Sequence, residues 1–115
     1  MSLRPPPHAL NRRAGRRTAL RGPATVVLSH APMDVQLCDL GPDGLCVLTR
    51  RPISPGTRCT LSFDLPSDAG PVPLTVRVKV VYSSFSGANG FKVGAIFIDL
   101  DQSTVDMLAA LTGTD

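Results

Sequence analysis

Five arginines stand in the twelve residues from Asn11 to Gly22: Arg12, Arg13, Arg16, Arg17 and Arg21. Arg4 joins them, and all six precede the first acidic residue, Asp34. A planar guanidinium donates two parallel hydrogen bonds, which suits phosphate oxygens and the O6/N7 edge of guanine. Arginines four residues apart, Arg12 with Arg16 or Arg13 with Arg17, project to one side of a turn-like segment. A second motif, Asp39-Leu40-Gly41-Pro42-Asp43-Gly44, has the chemistry of a turn. An aspartate at its mouth can accept hydrogen bonds from the N1–H and N2–H edge of guanine. Gly41 and Gly44 are expected to let backbone amides approach a ligand with no Cβ in the way. Together the motifs point to a guanine nucleotide or an oligonucleotide. Each alone is a weak signal: a basic arm is usually a solvated face, and DxGxxG fits an ordinary turn.

The elements that must bring these motifs together are strands. The chain has 115 residues, 43% hydrophobic and 18% charged, which predicts one folded domain with a single modest core. Trp is absent and aromatics are 4%, so Val, Leu, Ile and Ala must build that core. Residues 1–22, with three consecutive prolines and the arginines, read as an extended, mobile basic arm; residues 23–115 read as the folded domain. Strands are expected at "TVVLS", "MDVQLCDL", "LCVLTR", "CTLSFDL", "VPLTVRVKVVYSS" and "FKVGAIFIDL". The inward sets are Met33, Val35 and Leu37; Leu61, Phe63 and Leu65; and Leu74, Val76, Val78 and Val80. "FSGANG" is expected to close the last hairpin with Gly and Asn at positive φ, and Gly94 to permit a bulge or a close backbone approach. "DQSTVDMLAALTG" reads as one helix capped by Asp101 or Ser103, burying Val105, Leu108 and Leu111 and ending at Gly113. The fold class is therefore mainly β: a small six-stranded antiparallel barrel with a C-terminal α-helix. From Arg17 to Asp39 there is room for one strand out and one back, which would bring both motifs to the same rim.

Other chemistries fare worse. His8 and His30 have no Cys or carboxylate at metal-ligand spacing, and Ser29 and His30, as strand neighbours, point to opposite faces. Asp99 and Asp101 sit at a strand-to-helix junction, where capping explains them better than acid–base work, so no enzyme, metal or resident cofactor is expected. A nucleic-acid-binding barrel needs stacking platforms, and Phe63 shares the inward face of Leu61 and Leu65. Tyr82 lies near a hairpin end, where it can pack against a base or be plain strand surface. Cys38, Cys46 and Cys59 read as buried reduced thiols, which suits a cytoplasmic protein. No apolar run is long enough for membrane insertion, and no secretory leader is recognised.

In these motifs the sequence resembles the PilZ domain, a bacterial receptor module for the second messenger cyclic di-GMP. The family's pattern is RRxxxR, then (D/N)xSxxG, then a PPGTRV-LxLxLP segment, then GVxFxDLD and a helix; this chain has "RRAGRR", "DLGPDG", "SPGTRCTLSFDLP" and "VGAIFIDLD". The resemblance implies a ligand site made of Arg12, Arg13 and Arg17 from the arm with Asp39, Gly41 and Gly44 from the turn. Arg12 with Arg16 is the other possible frame. It implies an arm that folds over the barrel rim around cyclic di-GMP and relays the signal to a partner protein, because no output module is attached. Gly41 replaces the motif serine, which removes one neutral hydrogen bond, worth about 0.5–1.5 kcal/mol. Some family members bind no nucleotide and serve as adaptors in type IV pilus assembly and motility, which is the alternative implication.

Overall fold

A computed structural model describes residues 18–112 of the chain. Six strands, β1 (Thr18–Leu28), β2 (Ala31–Leu40), β3 (Gly44–Thr49), β4 (Arg58–Leu65), β5 (Val72–Phe85) and β6 (Phe91–Ile98), precede one helix, α1 (Gln102–Thr112). Every pairing is antiparallel, and the order β1-β2-β3-β6-β5-β4 closes on itself through β1 and β4. Closure gives every strand two neighbours over part of its length, while the first half of β1 and the end of β5 are paired on one side. The alternation seen in the sequence sets the core: Val35 and Leu37, Leu61, Phe63 and Leu65, and Val76, Val78 and Val80 are all buried, while Met33 and Leu74 are partly buried against them.

β1 starts earlier than expected. Residues 18–22, read from the sequence as the end of the arm, pair with β2 through Thr18↔Leu40, Ala19↔Asp39 and Gly22↔Leu37. Gly22 and Pro23 break the strand pattern in sequence, yet β4 pairs only with Thr25, Val26 and Val27. The first half of β1 is hydrogen-bonded on one side alone, where a residue without an N–H is tolerated. Ser29 and His30 form a two-residue loop, both at positive φ, the geometry that matches strand twist in tight hairpins.

Besides a register shift in β1 between Ala19 and Gly22, two bulges break the strict alternation. Between Leu37↔Val47 and Asp39↔Cys46, β2 carries one extra residue, Cys38; between Val80↔Ala95 and Tyr82↔Gly94, β5 carries Val81. Each bulge shifts the phase by one, so Leu40 turns inward beyond Cys38, while Val81 and Tyr82 are both exposed. The expected bulge near Gly94 thus lies in its partner strand. The β5–β6 connection is a short 3-10 turn, Gly87–Asn89, with positive φ at Gly87 and Gly90 and not at Asn89.

Asp101 caps α1: its Oδ1 accepts the Thr104 backbone N–H at 2.8 Å and the Ser103 hydroxyl at 3.2 Å. These bonds hold the Asp101 carboxyl below its ordinary pKa. Leu108 is wholly buried and Leu111 partly so, but Val105 is exposed, a correction to the expected face. Residues three apart drift about 60° around a helix at 3.6 residues per turn, so a stripe centred on Leu108 leaves its outer members at the margins. Gly113 lies outside the described residues.

Candidate functional site

The turn between β2 and β3 has a two-residue loop, Pro42-Asp43. The Gly41 N–H donates to the Gly44 carbonyl at 2.8 Å, and the Asp43 carbonyl accepts the Phe97 N–H at 2.9 Å. Both glycines are buried. A Cβ on Gly44 would lie 2.1 Å from the Ala95 carbonyl oxygen, so β3 and β6 approach closely because this side chain is missing. That differs from the expected reason for these glycines: the Gly41 amide is used inside the turn, and the space beside Gly44 is filled by β6.

From this turn a lateral row of residues crosses five strands. Ala19 stands opposite Asp39, Asp39 opposite Cys46, Cys46 opposite Gly94, and Gly94 opposite Tyr82. At about 4.8 Å between strands, the row spans roughly 19 Å. Leu45 and Val47 point into the core, so Cys46 between them points outward, and it is buried there by the side chains above it. Tyr82 lies over this spot: a Cβ on Gly94 would meet its Cε2 at 2.1 Å, and its hydroxyl donates to the Cys46 Sγ at 3.8 Å. The bare backbone of Gly94 is the bed on which the ring rests.

Charge frames the row. Cys38, in the β2 bulge, lies in the fields of Arg21, Asp39 and Lys92, and Cys46 in those of Asp39 and Lys92. Burial pushes both thiols above their ordinary pKa, and burial alone does the same for Cys59. All three are free cysteines. The outer face beside the turn therefore carries the Asp39 carboxylate, with Arg21 and Lys92 in the same neighbourhood, over a floor of neutral thiol and tyrosine. Such a surface can hold a ligand that carries both anionic oxygens and hydrogen-bond donors.

Of the residues singled out in sequence, Asp39, Gly41 and Gly44 are brought together here. Asp39 is half-buried on β2. Arg12, Arg13, Arg16 and Arg17 lie outside the described residues, but Thr18, bonded to Arg17, pairs with Leu40. The chain thus enters the barrel one position from Asp39. Sequence reasoning counted Arg21 in the basic cluster and Cys46 among the buried thiols without assigning either to the site, left Lys92 out of it, and gave Tyr82 no fixed neighbour. Their proximity depends on cross-strand register, and the two bulges hide that register from simple counting. The one available signal was Gly94, which marked a close approach.

Among the described residues, no group of His, Cys or Asp side chains is arranged to hold a metal ion, and no helix is long and apolar enough to cross a membrane. The PilZ domain family pattern matches residues 11–113. No curated protein sequence matches the chain. Among solved structures, the chain is similar to the inhibitor of motility MotI/DgrA from Bacillus subtilis (TM-score 0.73, 10% identity, 85% of this chain and 48% of that one). It is also similar to the PilZ domain of YcgR from Escherichia coli, solved with c-di-GMP (0.68, 14%, 90% and 91%). A third is PlzA from Borreliella burgdorferi, solved in complex with c-di-GMP (0.56, 16%, 81% and 32%). The chain thus spans about half of MotI/DgrA, a third of PlzA and nine tenths of the YcgR domain.

Proposed function

The chain belongs to the PilZ domain family, and from that premise we propose that it is a receptor for cyclic di-GMP whose ligand lies on the outer face of the β2–β3 turn. The observation that carries this reading is the pairing of Thr18 with Leu40 and of Ala19 with Asp39. It brings the start of β1, one peptide bond from Arg17, to Asp39. Arg13 and Arg17, with Arg12 beside them, grip phosphates and guanine edges; Asp39 accepts from the N1–H and N2–H of a base. Gly41 and Gly44 set the turn that holds Asp39 in place, and Tyr82 offers an apolar face at the far end of the row. Two of the structural neighbours were solved with this ligand, which supports the assignment.

The energetics are adequate. Charge-assisted hydrogen bonds contribute about 1.5–3 kcal/mol each, and several offset the ordering of a few arm residues at about 1–2 kcal/mol each. Micromolar affinity needs about 8 kcal/mol in total. Ordering of the arm is the signal in this reading, and a partner protein receives it.

Gly41 in place of the motif serine favours a second reading, an adaptor in motility or pilus assembly that works without nucleotide. Calorimetric titration with cyclic di-GMP at physiological salt, with GTP and GMP as comparisons, separates the two. Micromolar heat that Asp39→Ala weakens supports the receptor. No heat up to high micromolar ligand supports the adaptor.

A further inference from the structure

The acidic residues are unevenly placed. Residues 44–63 and 69–98 contain none, although they include the whole of β3, β5, β6 and the β3–β4 loop. That stretch carries Arg50, Arg51, Arg58, Arg77, Lys79 and Lys92. Of these, Arg77 alone forms an ion pair among the described residues, with Asp99 at 2.7 Å.

The fold gathers part of this charge at one end of the barrel. The β3–β4 loop runs beneath the β5–β6 hairpin: the Ile53 N–H reaches the Ser83 Oγ at 3.4 Å, and the Gly56 N–H donates to the Val80 carbonyl at 2.7 Å. A Cβ on Gly90 would lie 3.5 Å from the Arg50 Cα, so Arg50 begins the loop beside the hairpin turn. Arg58, by contrast, stands opposite Lys79 in the lateral row that runs through Ile96 to Gly44, at the turn end of the barrel. Arg50 and Arg51 are exposed. On the hairpin beside them lies an apolar side chain that the core does not use, Phe85 at 75% exposure. Phe85 is held in position, edge-on to Phe91 with ring centroids 5.7 Å apart. This end is five residues along β3 from Gly44, about 17 Å from the turn.

We propose that this end of the barrel, Arg50 and Arg51 beside Phe85, is a docking surface for an acidic segment of a partner protein that brings an apolar side chain onto Phe85. An aromatic anchor inside a charged rim is the anatomy of a protein interface. Charge complementarity names the sign of the partner, since nothing acidic on this surface competes with it. A nucleic acid fits less well: it needs successive stacking platforms, and the surface has one exposed ring whose edge is already engaged.

The test uses the full chain and a fluorescein-labelled peptide of glutamate and leucine, read by anisotropy. A leucine-free glutamate peptide and a single-stranded oligonucleotide are the comparisons. Phe85→Ala is expected to weaken the glutamate–leucine peptide about tenfold and leave the glutamate peptide nearly unchanged. Arg50→Glu with Arg51→Glu is expected to weaken both and flatten their salt dependence. The arm is identical in all variants, so its own attraction for acids cancels. Equal affinity of Phe85→Ala and the parent chain for the glutamate–leucine peptide overturns the proposal, as does tighter binding of the oligonucleotide that Phe85→Ala reduces. Cyclic di-GMP titrated into the same variants is expected to bind as in the parent, which keeps failure of this surface distinct from failure of the ligand site.

Discussion

The two ends of β3 are built on different terms. At the Gly44 end, backbone meets backbone: the glycine lies against the Ala95 carbonyl, the Gly41 N–H is bonded to Gly44, and Asp43 is tied to Phe97. At the hairpin end, Phe85, Arg50 and Arg51 face solvent and contribute little to the core. A glycine in a binding motif can therefore be required by the fold before any ligand arrives, whereas exposed cations with no acid near them point to something outside the molecule. The motif end positions a site; the hairpin end is free to vary with the partner.

Substitutions at the two ends should separate these roles. Gly44→Ala is expected to have the largest effect on stability, roughly 3 kcal/mol, the upper range for overpacking, because the Ala95 carbonyl it would meet is backbone and cannot rotate away. Chemical denaturation measures it, and near-normal stability would mean that β3 and β6 separate easily. Arg13→Ala or Arg17→Ala should leave the unfolding midpoint alone and weaken cyclic di-GMP about tenfold or more, from loss of a charge-assisted bond. Gly94→Ala should cost less than Gly44→Ala, about 1 kcal/mol, since the Tyr82 ring can swing aside. It should also expose Cys46, detected as faster thiol alkylation. Gly41→Ser is expected to leave ligand affinity unchanged or raise it severalfold by restoring the hydroxyl.

The smallest effect is on pH. Asp101 has a lowered pKa in the folded chain through its cap bonds to Thr104 and Ser103. The unfolded state binds its proton first, so the cap's contribution is present above the ordinary carboxylate pKa and is lost as pH falls through the lower folded value. Asp101→Asn should keep the cap but flatten that part of the acid-denaturation profile. The thiols act in the opposite direction: with raised folded values, Cys38, Cys46 and Cys59 reduce stability as pH climbs past the ordinary thiol pKa.

Much of the barrel was legible because its strands bury one face. The alternation through Leu61, Phe63 and Leu65 and through Val76, Val78 and Val80 sets both strand type and inward phase. The bulges at Cys38 and Val81 were not legible, because an extra residue looks in sequence like any other and shows itself only when the partner strand is counted. The start of β1 was hidden for a different reason: Gly22 and Pro23 are poor strand residues that survive where β1 has one neighbour. In the site, the turn and its aspartate could be read from residue types. The row from Asp39 through Cys46 and Gly94 to Tyr82 could not, since its members come from four strands.

Amide chemical shifts of the full chain, followed during titration with cyclic di-GMP, test the central claim most directly. The account predicts saturable shifts concentrated at Ala19, Asp39, Cys46, Gly94 and Tyr82, with Phe85 and the Arg50 loop little changed. Saturable shifts confined to the hairpin end, or none along that row, would contradict it.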